Sequence, residues 1–122
     1  MHSNESAENY LETILMLSKK LPVVRSVDIA NELGYKKSSV SIAMKNLREK
    51  NHIVVSDAGF ITLTKSGQEI AEMIYERHEV LTACLVKIGV SEQVAQEDAC
   101  RIEHIISAET FDAINACYSK MK

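Results

Sequence analysis

Residues 26–50 read SVDIANELGYKKSSVSIAMKNLREK, and they carry the clearest signal for the fold. Its apolar residues recur at helical spacing in two runs, which predicts a short helix over residues 27–33 and a second helix over residues 38–50. Ser26 is a suitable N-cap for the first helix, and Gly34 suits the left-handed position that follows a helix end. Two short helices joined by a glycine-containing turn are typical of a helix-turn-helix unit.

The residues that follow predict a small β-hairpin. Residues 53–56 and 60–63 are rich in β-branched and apolar side chains, which favours strands. Asp57, Ala58 and Gly59 between them predict a tight turn. Because the hairpin comes directly after the second helix of the unit, the order predicts a winged helix, with the hairpin as its wing.

The rest of the chain is expected to be helical. Apolar periodicity predicts four more helices, over residues 7–21, 64–88, 92–106 and 108–121, with Ser6, Ser91 and Ser107 as N-caps. The predicted fold class is therefore mainly α. We expect an N-terminal winged helix-turn-helix domain over residues 1–65, followed by an α-helical domain over residues 66–122.

The composition fits one domain or two very small ones. The chain has 122 residues, of which 46% are hydrophobic, with one proline and four glycines, so disorder is not expected. No apolar run approaches the ~18 residues of a membrane span. The N-terminus lacks the basic and apolar regions of a signal peptide. We therefore expect a cytoplasmic protein with no membrane partner.

The three cysteines are Cys84, Cys100 and Cys117. Their odd number and wide spacing, without a C-x-x-C pair, indicate neither a disulfide framework nor a zinc ribbon. Cys84 and Cys117 fall among apolar residues, and we expect both to be small core residues.

Charge is unevenly distributed along the chain. Residues 25–50 hold six basic and three acidic residues, a net charge of +3, whereas residues 66–122 hold five basic and ten acidic residues, a net charge of −5. The first region can face phosphates, and the second is rich in oxygen ligands.

The second helix of the predicted unit is the candidate DNA-binding element. In a winged helix this element lies in the major groove, and the wing touches the adjacent backbone. Hydroxyls and N–H groups at a helix N-terminus suit phosphate oxygens, and lysines add salt-dependent attraction. The expected DNA-binding residues are Lys36, Lys37, Ser38, Ser39, Ser41, Ile42 and Lys45. Taken alone, they would equally fit a solvated helix face.

Cys100, Glu103 and His104 form a second informative group. If residues 97–104 are helical, these positions (i, i+3 and i+4) share one face. A thiol, a carboxylate and an imidazole together suit a first-row metal such as Fe²⁺, Co²⁺ or Zn²⁺. The alternative is a buried cysteine beside a solvated Glu–His pair.

Several short motifs extend these patterns over nearly the whole chain. They are ENYLETI at 8–14, DIA at 28–30, SSVS at 38–41, LTKSG at 63–67, RHE at 77–79 and, most specific, DACRIEH at 98–104. With them the chain resembles the iron- and manganese-dependent repressor family, the group of the diphtheria toxin repressor and the manganese transport regulator. It is most similar to the shorter, manganese-regulator branch, which lacks a C-terminal SH3-like domain.

The resemblance implies a metal-dependent DNA-binding repressor of metal homeostasis that acts as a homodimer on a palindromic operator. The metal ligands it implies are Asn9, Glu12, His78, Cys100, Glu103 and His104. Glu12 matches the manganese branch, Cys100 matches the iron branch, and Asn9 matches neither. Because a thiol in place of an acid favours Fe²⁺, Co²⁺, Ni²⁺ or Zn²⁺, we expect Fe²⁺ to be preferred over Mn²⁺.

Two other functions remain open. A small metallo-hydrolase could use Cys100, Glu103 and His104, but no general-base pairing or substrate-pocket motif supports it, and we do not expect an enzyme. A winged-helix regulator could instead sense redox state through Cys100. Its DNA binding would respond to peroxide and not to metal.

Overall fold

The structure, a computed structural model, describes residues 5–121. Over these residues the chain forms six helices and one two-stranded sheet. In chain order the elements are α1 (Glu5–Ser18), α2 (Ser26–Leu33), α3 (Lys37–Glu49), β1 (Ile53–Val55), β2 (Ile61–Leu63), α4 (Lys65–Lys87), α5 (Glu92–Ile102) and α6 (Ala108–Met121). The predicted fold class, mainly α with an N-terminal winged helix-turn-helix, is confirmed. No helix within residues 5–121 is both long enough and apolar enough to cross a membrane.

The described residues form two compact units. One covers Ser6–Glu72, and the other runs from Met73 to the end of the described residues and also includes Glu5. This division falls inside α4. The domain boundary expected between residues 65 and 66 falls at the start of the same helix and stays a prediction.

The unit Ser6–Glu72 contains the predicted helix-turn-helix. After α2, Gly34 has φ 70° and ψ 28°, the left-handed conformation expected for it, and its N–H donates to the carbonyl of Ala30 at 2.8 Å. Arg25, rather than Ser26, occupies the N-cap of α2, and its N–H donates to the Asp28 carboxylate at 2.9 Å. The large side chains buried most deeply in this unit are Leu11, Ile14, Ile29, Val40, Leu47 and Ile53.

β1 and β2 form the predicted wing. They pair antiparallel in the register Ile53↔Leu63, Val54↔Thr62 and Val55↔Ile61. In the connecting turn, Gly59 has φ 85° and donates its N–H to the carbonyl of Ser56 at 2.9 Å. Ile61 donates its N–H to the carbonyl of Val24 at 2.8 Å, which ties the hairpin to the segment before α2.

Gly67 lies in the first turn of α4, against the backbone that follows α3. A Cβ atom added there would lie closer to the carbonyl oxygen of His52 than real Cβ atoms approach. Hydrogen bonds hold the same junction, since Thr64 donates its N–H to the His52 carbonyl at 3.1 Å and its hydroxyl to the Asn51 carbonyl at 2.7 Å. Close backbone approach therefore requires glycine at this position.

Gly67→Ala is expected to lower the free energy of unfolding by about 1–3 kcal/mol, the usual cost of an overpacked site. Alanine is otherwise the better helix former by ~1 kcal/mol, so without the close approach the substitution would raise the free energy of unfolding. A decrease therefore reports the close approach. Urea unfolding followed by circular dichroism measures the change. Glu69→Ala, at an exposed position of the same helix, should change the value by less than about 0.5 kcal/mol. An unchanged or more stable Gly67→Ala variant would contradict the close approach.

The unit that starts at Met73 is helical. Its α6 begins as predicted, because the hydroxyl of the N-cap Ser107 accepts the N–H of Thr110 at 3.1 Å. Its deeply buried apolar side chains are Ile74, Leu81, Ala95, Ala99 and Phe111. Cys84 is half-buried and Cys117 is exposed, so the expected core position is wrong for Cys117 in the single chain.

α5 is shorter than predicted. It ends at Ile102, with Glu103 as its C-cap, rather than at residue 106. The chain then turns, and the carbonyls of Glu103 and Ile106 both accept hydrogen bonds from the Arg77 guanidinium. Their partner is thus a side chain from a distant part of the sequence, which helical periodicity does not reveal. Glu103 ends the helix, and His104 lies beyond it.

α1 also ends earlier than predicted, at Ser18 rather than at residue 21, and Ser6 lies inside it. The Ser18 hydroxyl donates to the Leu15 carbonyl at 2.6 Å. Lys19 donates its N–H to the Met16 carbonyl at 3.2 Å, a tighter 3₁₀-type bond that closes the helix.

Candidate metal centre and nucleic-acid interface

Glu103 is the central residue of the candidate metal centre. Its side chain is 0% exposed, although it carries a carboxylate. One oxygen, Oε1, lies 2.8 Å from Nδ1 of His78, a residue of α4. The other oxygen, Oε2, lies 3.3 Å from Nε2 of His104, whose side chain is 2% exposed. We call His78, Glu103 and His104 the acid–imidazole cluster.

The cluster fits a divalent metal. Among the described residues, Oε2 of Glu103 has no hydrogen-bond partner. Burying a carboxylate is costly unless its charge and its oxygens are matched. Two imidazoles beside it supply nitrogen ligands, and a set of nitrogen and oxygen donors suits first-row divalent ions. The donor chemistry and the buried carboxylate oxygen without a hydrogen bond therefore both fit such an ion.

Two features of the unit bring the cluster together. His78 projects from α4, while Glu103 is the C-cap of α5 and donates its N–H to the Ala99 carbonyl at 2.9 Å. The turn that follows carries His104. Spacing along one helix could group Glu103 with His104, but the approach of His78 depends on the packing of α4 beside the end of α5.

Three further predicted ligands are Cys100, Glu12 and Asn9. Cys100, in the last turn of α5, is exposed. Glu12 and Asn9 are on α1, in the other unit, where Glu12 is 7% exposed and Asn9 is half-buried. Their roles as ligands remain predictions.

The candidate nucleic-acid interface is the N-terminal half of α3. Its expected DNA-binding residues are all exposed: Lys36, Lys37, Ser38, Ser39, Ser41, Ile42 and Lys45. The apolar member of this set, Ile42, is 63% exposed. Lys36 is the N-cap and makes no side-chain capping bond, so the first N–H groups of α3 are not capped by it. Such N–H groups, next to lysines and hydroxyls, suit phosphate oxygens.

Sequence reasoning missed two further features near these sites. Arg77, which precedes His78, binds the turn that carries Glu103. Tyr10, on α1 next to Asn9, meets Tyr35 edge-on, with ring centroids 6.0 Å apart and an interplanar angle of 72°. Burial, with a smaller contribution from Tyr35, raises the pKa of Tyr10. In the sequence, both residues lie beside a predicted ligand and within a family motif, Tyr10 in ENYLETI at 8–14 and Arg77 in RHE at 77–79.

A winged helix with an exposed basic recognition helix, together with an acid–imidazole cluster around the buried Glu103, defines the class: a DNA-binding protein with a candidate centre for a divalent metal. Comparison with known families agrees. Residues 2–58 match the N-terminal DNA-binding domain of the iron-dependent repressors, and residues 64–122 match the metal-binding and dimerisation domain of the same proteins. This chain belongs to the iron-dependent repressor family.

Individual relatives support this membership. The transcriptional regulator MntR of Escherichia coli O6:H1 is 33% identical over 112 residues, which cover 92% of this chain and 72% of that protein. An uncharacterised helix-turn-helix-type regulator of Methanocaldococcus jannaschii is 31% identical over 121 residues, covering 98% of this chain and 97% of that protein.

A solved structure, a manganese-dependent transcriptional repressor in complex with manganese, superposes with a TM-score of 0.84 at 27% identity. The match covers 93% of this chain and 52% of that one, so this chain spans about half the length of that repressor.

Proposed function

We propose that this protein is a transcriptional repressor of metal homeostasis whose operator binding is activated by a divalent metal held at the acid–imidazole cluster. The observation that carries the proposal is the buried Glu103 carboxylate between two imidazoles, with one oxygen not hydrogen-bonded. The exposed recognition helix gives no support to the enzyme alternative. A DNA-binding regulator, in contrast, would use both the exposed recognition helix and the buried Glu103 carboxylate.

The proposed ligand set is larger than the cluster. We propose that Glu12, Cys100 and, more weakly, Asn9 complete it. Glu12 is a buried carboxylate on α1, and carboxylate oxygens are ligands that first-row divalent ions accept. Cys100 lies one turn before Glu103 and His104 in sequence. Asn9 offers only a neutral side-chain oxygen.

The proposed mechanism couples the ligands to α3. When bound, a divalent cation would supply the positive charge that balances the carboxylates of Glu12 and Glu103. Ligation by Glu12 would restrain α1, and Tyr10 on α1 contacts Tyr35, which directly precedes the N-cap of α3. The restraint would thus reach the start of the recognition helix. For this to activate DNA binding, the DNA-competent state must bind the metal more tightly than the other state.

We propose that the protein acts as a homodimer on a palindromic operator. The match to a dimerisation domain supports the first part. Two copies of α3 would then read half-sites about one helical turn apart. A working operator can be obtained by selecting duplexes from a random pool in the presence of Mn²⁺ or Fe²⁺; we refer to it as the selected operator.

The proposed metal preference is Fe²⁺ over Mn²⁺, with Co²⁺, Ni²⁺ and Zn²⁺ as substitutes. It rests on the Cys100 thiol, because Mn²⁺ prefers oxygen ligands. The names of the relatives point the other way, since the E. coli relative is an MntR and the solved repressor binds manganese. Titrating each metal anaerobically, with binding to the selected operator as the readout, decides between the two ions.

Cys100→Glu is expected to shift the ratio of Mn²⁺ to Fe²⁺ affinity toward Mn²⁺ by about tenfold, because an oxygen donor replaces sulfur. Anaerobic competition titration with a chelating dye measures both affinities. Cys117→Ser is the matched control, as it removes another exposed thiol of the same unit. Cys117→Ser should leave the ratio unchanged. If Cys100→Glu also left it unchanged, Cys100 would not set the metal preference.

The redox alternative makes a different prediction for the same protein. DNA binding would then respond to peroxide in the absence of metal, and Cys100→Ser would abolish the response. The metal proposal predicts no peroxide effect on the metal-free protein and a strong effect of each activating ion.

A further inference from the structure

Arg77 makes contacts that no part of the proposed ligand set explains. It directly precedes His78 on α4, and its Nη1 donates two hydrogen bonds, to the carbonyl of Glu103 at 3.0 Å and to the carbonyl of Ile106 at 3.1 Å. Its guanidinium carbon lies 5.5 Å from the centroid of the Phe111 ring. One side chain therefore contacts the end of α5, the following turn and α6.

These contacts close the turn over residues 103–106. The last carbonyls of a helix have no partners within the helix and need one elsewhere. Arg77 binds the carbonyl of Glu103 at the end of α5 and that of Ile106, which precedes the N-cap of α6. Between these two points lies His104. The side chain that closes the turn thus also sets the backbone from which Glu103 and His104 project.

The Arg77 side chain does not pair all of its own N–H donors with the described residues. Its Nε is buried and has no hydrogen-bond partner among the described residues. A buried unmatched donor costs about 1–3 kcal/mol. The two carbonyls and Phe111 therefore hold the guanidinium in place, while its Nε–H makes no hydrogen bond with the described residues.

We infer that Arg77 is the positioning residue of the metal centre: it fixes Glu103 and His104 relative to His78. The inference rests on the proposed function. Because His78 is the next residue of α4, one stretch of helix both supplies a ligand and holds the backbone of the other two. Lysine would not replace arginine here, since it offers a compact charge instead of a planar group with several fixed donors that also lies over an aromatic ring.

The test compares Arg77→Gln, Arg77→Lys and a control, Arg101→Gln, in the full chain. Arg101 is an exposed arginine of the same unit, paired with Asp98 at 2.9 Å. Co²⁺ is the probe, because its visible absorption reports coordination geometry. The measurements are the Co²⁺ dissociation constant, the spectrum at saturation and the thermal unfolding of the metal-free protein.

Arg77→Gln is expected to weaken Co²⁺ binding by about 10- to 100-fold, the usual effect of removing a residue that orients metal ligands. The saturated spectrum should also change, and Arg77→Lys should restore neither property. Arg101→Gln should match the wild type. A role confined to stability would instead lower the unfolding temperature and leave the dissociation constant and the spectrum unchanged, which would overturn the inference.

If Arg77→Gln does not fold, Phe111→Leu provides the second test, because it removes the ring beneath the guanidinium and keeps an apolar side chain. It should weaken Co²⁺ binding in the same direction, and an unchanged dissociation constant and spectrum would count against the inference. Co²⁺ binding by the wild type separates failure of the proposed function from failure of the role inferred for Arg77. A wild-type chain that fails to bind Co²⁺ overturns the proposed function, whereas a wild type and an Arg77→Gln variant that bind equally overturn only the role of Arg77.

Discussion

Glu103→Gln is expected to abolish metal-activated operator binding, with at least about a 100-fold loss of metal affinity, or ~3 kcal/mol. The substitution keeps the shape of the side chain and removes the charge that sits between His78 and His104. Glu103 is 0% exposed, so its charge is little screened by solvent and its loss should be felt in full. Calorimetric titration with Mn²⁺ and with Co²⁺ measures the affinity, and fluorescence anisotropy with the selected operator measures activation.

Two observations make this result specific. The metal-free Glu103→Gln variant should be at least as stable as the wild type, because a buried charge has been removed. Glu97→Gln, an exposed position on α5, should leave metal affinity and activation unchanged. A Glu103→Gln variant that Mn²⁺ and Fe²⁺ still activate would show that the centre lies elsewhere.

Lys36→Glu combined with Lys37→Glu is expected to reduce affinity for the selected operator by 100-fold or more at about 100 mM salt, because each change removes one phosphate contact and adds repulsion. The slope of log affinity against log salt should fall by about 2. Acidic residues at a helix N-terminus interact favourably with the helix dipole, so α3 should remain folded.

Metal affinity measured without DNA should be unchanged in this double variant, which separates DNA contact from metal binding. The control is Lys19→Glu combined with Lys20→Glu, an exposed pair that follows α1. Equal losses in the two double variants would indicate a general charge effect and would argue against α3 as the recognition helix.

The winged helix was predictable because its signals are local. Gly34 marks the end of α2 through its own backbone preference, and the turn over residues 57–59 lies between two β-prone runs. Both features depend on neighbouring residues only. The requirement for Gly67 was not predictable, because it comes from the approach of the His52 carbonyl across the junction with α4.

The candidate centre was predictable in part. Helical spacing and the resemblance to the family pointed to Glu103 and His104, and the resemblance alone pointed to His78. Helical periodicity overextended α5, because the carbonyls of Glu103 and Ile106 bind Arg77, 26 and 29 residues away in sequence. Long-range contacts of this kind leave no periodic signal in a single sequence.

In the proposed function, metal and operator bind to one coupled state of the protein. Coupling is measured as Mn²⁺ affinity with and without saturating selected operator, and as operator affinity with and without saturating Mn²⁺. We expect each ligand to tighten the other by the same factor, about 5- to 150-fold, and Glu103→Gln to remove the effect in both directions. Equal Mn²⁺ affinity in the presence and absence of operator would contradict this coupling.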